Sequence, residues 1–137
     1  MMKLPKRHSS QSQRAFSVTR LQPEALAVLA EEVWRLQRRT ERLAKALGDD
    51  AVKGVRDSAT RLVDALARNH IAFEDHAGER YQEGMRLDVV HVDGDTEPDQ
   101  ALWISDTVKP SVLLDGRLLA PGQVILSAKP PGGGAKE

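Results

Sequence analysis

Four histidines, His8, His70, His76 and His91, are the first side chains to test for chemistry. His70 and His76 stand six apart with Glu74 and Asp75 between them, a set with metal-ligand character. Helical zinc sites need histidines at i and i+4, as in HExxH, and that spacing is absent. Polar side chains at a helix-to-strand junction are the better account, and no metal is expected. Asp88, Asp93, Asp95, Glu97 and Asp99 suggest a calcium loop only in composition, because the alternating ligands, glycine and closing glutamate of such a loop are missing. No serine lies in a nucleophile elbow or at triad spacing from a histidine. With no cysteine in the chain, thiolate nucleophiles, disulfides and thiolate metal sites are excluded. Gly132-Gly133-Gly134 precedes no helix, so it is no phosphate cradle. Neither an enzyme nor a cofactor is expected.

What remains is the chemistry of recognition. Arg117 follows Asp115-Gly116, which separates the apolar runs Val112-Leu113-Leu114 and Leu118-Leu119. Asp-Gly in that setting signals a type I′ hairpin turn, because both central residues need positive φ. An arginine at the head of a strand can engage a carboxylate through two parallel hydrogen bonds, which lysine cannot copy.

Helices come first along the chain and strands last. Pro23 suits a first helical turn, and Glu24 suits its positive end. Leu26, Leu29, Val33, Leu36, Thr40, Leu43 and Leu47 then recur at spacings of 3, 4, 3, 4, 3 and 4, an a/d seam with a polar Thr40. Such a helix is a rod on the order of 36 Å long. Either the chain's own second helix covers this seam or a second copy does. Short coiled coils pair readily, so a homodimer is expected through these seven residues. Gly48 stops the rod, and Asp49 or Asp50 can cap a second helix carrying Val52, Val55, Ala59, Leu62, Val63 and Leu66. The short connection suits either a hairpin or a slight break in one long element; hairpins from two copies would make a four-helix bundle.

After His70 the period changes. Ile71 and Phe73, then Leu87 to Val92, then Ala101 to Ile104, precede the Asp-Gly hairpin and Val124-Ile125-Leu126. Four to five short strands should form a compact β module with Val90, Trp103 and Ile125 in its core. The fold class is therefore α+β: an N-terminal coiled-coil or helical-bundle segment followed by a small all-β C-terminal domain. The divisions are a disordered arm (1–22), a helical dimerisation region (23–70), the β domain (71–129) and a flexible tail (130–137).

Composition narrows the partners. Twenty basic and twenty acidic side chains cancel over 137 residues, so there is no field to draw nucleic acid or an anionic membrane. Arg35, Arg38, Arg39, Arg42 and Lys45 read as a solvated helix face, partly neutralised by Glu31, Glu32 and Glu41. No apolar run approaches the roughly 18 residues of a membrane span. The basic start lacks an apolar core behind it and is no signal peptide; a cytoplasmic location is expected.

The whole order resembles the GrpE family, homodimeric nucleotide exchange factors of DnaK-type chaperones. Leu114-Asp115-Gly116-Arg117-Leu118-Leu119, then Val124-Ile125-Leu126 and Ala128-Lys129, is similar to that family's closing turn and final strand. Leu62-Val63-Asp64-Ala65-Leu66 before Ile71 resembles the end of its bundle helix, and Gly78-Glu79-Arg80-Tyr81 its Gly-Glu-x-Phe. The departures are Arg86-Leu87-Asp88-Val89 for His-Glu-Ala-Val, Lys109-Pro110-Ser111 where an aromatic Gly-Tyr is usual, and Leu119-Ala120-Pro121 for Arg-Pro-Ala, which lacks a second arginine. The first helix is also shorter than the family's stalk.

The resemblance implies a paired helix, a four-helix bundle and a β domain on each chain. That β domain would bind the nucleotide-binding domain of a DnaK-type chaperone and promote ADP release without any catalytic residue. It places Arg117, with Asp115, Gly116 and Leu126, on the partner-binding surface. The alternative is a dimeric coiled-coil adaptor or scaffold that keeps the fold and lacks exchange activity.

Overall fold

The computed structural model describes residues 21–131. Of the arm (1–22) only Leu21 and Gln22 are described, and of the tail (130–137) only Pro130 and Pro131; the disorder and flexibility expected there lie outside the described residues.

Helix α1 spans Pro23–Leu47, with Glu24 in its first turn and Lys45 in its last, each at the end of the helix dipole it offsets. Gly48 ends it at φ 96°, its amide donating to the Ala44 carbonyl at 2.8 Å. Helix α2, Asp49–Arg68, starts at the next residue, so a single glycine joins the two. Asp49 and Asp50 lie in the first turn of α2, and neither makes a side-chain capping bond. The two helices form a hairpin: Ala30 and Val33 near the start of α1 share a core with Leu66 near the end of α2. Arg56 also reaches back to Glu41 at 2.9 Å.

The contact between the helices is built from small side chains. Ala30, Val33, Thr40 and Ala44 are buried on α1, and Val52, Ala59 and Leu66 on α2. Thr40 tolerates burial because its hydroxyl donates to the Leu36 carbonyl at 2.7 Å.

Six strands follow, forming two sheets. β1 (Ile71–Glu74), β4 (Ser111–Leu114) and β5 (Arg117–Ala120) form an antiparallel sheet in the order β1-β4-β5. β2 (Leu87–Asp93), β3 (Trp103–Lys109) and β6 (Gly122–Ser127) form the other, in which the central β6 runs parallel to β2 and antiparallel to β3. Pro110 and Pro121 stand at two of the three points where the chain passes between sheets. Lacking an N–H, proline cannot carry a ladder through these two joints.

The two sheets have different cores. Ile71 and Val112 of the first are buried with Ala30, Val33 and Leu66, so helices and sheet share one interior. The second has its own: Ile104, Val124 and Leu126, flanked by Tyr81, Met85, Leu87 and Leu102. The expected core of Val90, Trp103 and Ile125 does not form: it is displaced by one residue at Trp103 and Ile125, and Val90 has exposed neighbours on both sides in its strand. Trp103 and Ile125 are half-buried while their neighbours Ile104, Val124 and Leu126 turn inward; Val90 is 50% exposed, at a register shift between Val89 and His91. A one-residue change of register exchanges the two faces of a strand. The architecture is α+β, two helices followed by mixed β-sheets. No helix among the described residues is long and apolar enough to cross a membrane.

Candidate functional site

The Asp-Gly turn forms as its sequence requires. Asp115 and Gly116 take φ of 54° and 78°, and Leu114 pairs with Arg117 across the turn. The Asp115 amide donates to the His70 carbonyl at 2.9 Å, which anchors the turn to the end of α2. Its carboxylate lies 3.7 Å from the His70 ring. Asp106, the other carboxylate within sequence reach of Arg117, pairs instead with Arg38. Arg117 is exposed and makes no ion pair among the described residues, so its fork is free for a partner. Asp115 and Gly116 are exposed beside it, whereas Leu126 is not part of this surface. At 2% exposure it is a core residue of the second sheet, because β6 alternates with Val124 and Leu126 inward.

The seven-residue seam of α1 divides in two. Val33 and Thr40 are buried inside the hairpin, and Leu26 packs against the first sheet's core. Leu29, Leu43 and Leu47 are 44%, 49% and 65% exposed, with Leu36 half-buried. On α2, Val55 and Leu62 are exposed as well. In an antiparallel hairpin these residues fall on the same side, because each precedes the buried line of its own helix by a similar rotation. The result is one apolar face on the hairpin, away from the sheet that packs on its other side.

A polar network between the helices and both sheets had no signature in the sequence. The Trp34 indole donates to the Asp75 carboxylate at 3.0 Å, and the Ala77 amide donates to the same group at 3.0 Å. Arg38 stacks over Trp34, 4.6 Å from the ring centroid, and donates to the Thr107 carbonyl at 2.7 Å and to Asp106 at 3.1 Å. Burial pushes the Asp75 carboxyl upward, but hydrogen bonds from Ala77, Thr107 and Trp34, with the Arg38 charge nearby, outweigh it and hold the group below its ordinary range. Thr107 also accepts from the His76 amide at 3.2 Å.

Beyond it lies a contact of triad character. The His76 ring is 2.8 Å from the Ser111 hydroxyl on one side and 3.4 Å from Glu79 on the other. Ser111 is 4% exposed, and its hydroxyl accepts from the Gly122 amide at 3.1 Å, which joins β4 to β6. A Cβ on Gly122 would fall 2.9 Å from that oxygen, which explains the glycine. His70 is remote from this contact at the end of α2, and no group of three or more histidine and acidic side chains among the described residues is placed to hold a metal ion.

No protein-family model matches the chain, and no curated protein matches it. The functional reading therefore rests on these surfaces: a free arginine at a turn anchored to the end of α2, and an uncovered apolar helix face, with a polar network tying α1 to the β module.

Proposed function

We propose that the chain is a GrpE-like co-chaperone, a homodimer whose β module binds the nucleotide-binding domain of a DnaK-type chaperone and promotes ADP release. The observation that carries this reading is the apolar face on the helical hairpin. A second copy laid on Leu29, Leu36, Leu43, Leu47, Val55 and Leu62 makes a four-helix bundle, the assembly that the resemblance implies. The Asp115–Arg117 turn belongs to the β module and stays accessible in such a dimer. A protein that binds the open cleft of its partner more tightly than the closed one shifts the population toward open, and ADP leaves faster.

A second reading, a dimeric adaptor without exchange activity, is favoured by one observation. Leu119 and Ala120 stand where the resembled pattern carries an arginine, and they are half-buried against the helical core, leaving Arg117 to act without that companion.

The test is release of labelled ADP from a DnaK-type chaperone of the same cell. Stimulated release supports exchange; binding without stimulation supports the adaptor; no binding removes both. Arg117→Ala should weaken chaperone binding by about 2 kcal/mol, the loss typical of an interface hot spot. Sedimentation and circular dichroism should be unchanged. Undiminished affinity in a folded dimer would exclude Arg117 from the interface.

A further inference from the structure

The cationic side of α1 is not the evenly solvated face that its composition suggests. Arg35 is held by Glu31 and Glu32 at 2.6 and 2.5 Å, and Arg38 by Asp106 and the Thr107 carbonyl. Arg39, Arg42 and Lys45 make no ion pair among the described residues. Arg42 and Lys45 border a cleft of about 620 Å³ between α1 and the end of β1, lined also by Trp34, Phe73 and Asp75. Arg42 is shared with an adjoining hollow that includes Arg39, so the free cations follow one track along the helix. Arg42 and Lys45 lie on a different side of α1 from the leucine face, whereas Arg39 borders that face between Leu36 and Leu43, so pairing of two hairpins leaves the cleft at Arg42 and Lys45 open.

We propose that this cleft binds an extended acidic peptide segment carrying apolar side chains. Its carboxylates would lie on Arg39, Arg42 and Lys45, and its apolar groups against Phe73. Charge complementarity selects the acid: fixed intramolecular partners neutralise Arg35 and Arg38 and leave three cations without one. The strand beside the cleft, β1, is an edge strand, and its unpaired backbone suits an extended occupant. One feature disfavours nucleic acid: Trp34 is 3% exposed with Arg38 over its ring, so bases cannot stack on it. The lining carboxylates are already engaged, Glu41 by Arg56 and Asp75 by Trp34.

The test uses the full chain and a fluorescein-labelled peptide of glutamates interspersed with leucines, read by polarisation. Saturable binding that weakens with added salt is expected. Arg42→Glu combined with Lys45→Glu should weaken it about tenfold or more, with unchanged circular dichroism since both residues are exposed. Arg117→Ala should leave peptide binding intact, so the inference stands or falls separately from the co-chaperone reading. Absence of saturable binding, indifference to the double charge reversal, or tighter binding of a single-stranded thymidine oligonucleotide of matching length would each overturn it.

Discussion

The two sheets contain three strands each, yet they are supported in different ways. The first lies against the helical hairpin and shares its interior: Ile71 and Val112 are buried with Ala30, Val33 and Leu66. The second buries Ile104, Val124 and Leu126 against loop residues such as Tyr81 and Met85, and its edge strand β2 leaves Val89, Val90 and Val92 exposed. Burial scales with what covers a sheet, so the first should open only when the whole chain unfolds, and the second in smaller, local steps. One surface of the molecule is thus built on a stable frame, and the other on a frame held largely by its tie to the helices.

The largest effect should separate the two cores. Val112→Asp places an unpaired charge in the shared interior and should cost more than about 4 kcal/mol, enough to unfold hairpin and sheet together. Ile104→Ala should cost about 2–4 kcal/mol. Hydrogen exchange should then show faster opening of β2, β3 and β6 while the amides of α1 and α2 stay protected. Uniform loss of protection in Ile104→Ala would show that the cores form one cooperative unit.

The outer side of the hairpin comes next. Leu43 is 49% exposed and takes no part in the shared core, so Leu43→Asp should weaken self-association by about 3 kcal/mol while the single chain keeps its fold. Sedimentation velocity at several concentrations gives the result directly. A stable monomer of the unaltered protein at tens of micromolar, about the range where moderate dimers form, would sink the dimer.

The tie between the regions can be weakened through Asp75. Its folded pKa lies below its unfolded value, so its stabilising contribution is complete above the unfolded value and is lost as pH falls through the folded one. Asp75→Asn should remove that acid-side loss and cost about 1–2 kcal/mol at neutral pH, discounted because the group is only partly buried. Denaturant melts of both proteins from neutral to acid pH check this. If the gap between them fails to narrow toward low pH, the carboxylate is not what fastens Trp34 to the β module.

How much of this could be read from sequence follows from how local each signal is. Pro23, Gly48 and the Asp115-Gly116 pair fix local backbone, and the structure places helix bounds and turn where they predict. The seam of α1 revealed an apolar side but not its centre, because the buried line uses Ala30, Thr40 and Ala44, whose small side chains allow close approach and carry little hydrophobic signal. The division of strands into two sheets, and the parallel pairing of β2 with β6, join residues far apart in the chain. The network around Asp75 was invisible for the same reason, since Trp34 and Asp75 are 41 residues apart. The resemblance implies an outward Leu126, and the apolar run Val124-Ile125-Leu126 does not by itself state which alternate residues face in.

The smallest effect concerns the joint where the hairpin hands over to β1. His70 takes φ 63°, the left-handed conformation that glycine or asparagine usually supplies after a helix. Its amide donates to the Ala67 carbonyl at 2.9 Å, and its carbonyl accepts from Asp115. Both bonds belong to the backbone and survive a change of side chain. His70→Gly therefore relieves a steric penalty of about 1–2 kcal/mol, offset by the greater freedom of glycine when unfolded and by loss of the ring's proximity to Asp115. The balance should be a gain of no more than about 1 kcal/mol, read as a small rise in denaturation midpoint with unchanged slope. A clear loss would mean that the histidine ring itself holds the Asp115 turn, and that Arg117 depends on the end of α2 for its position.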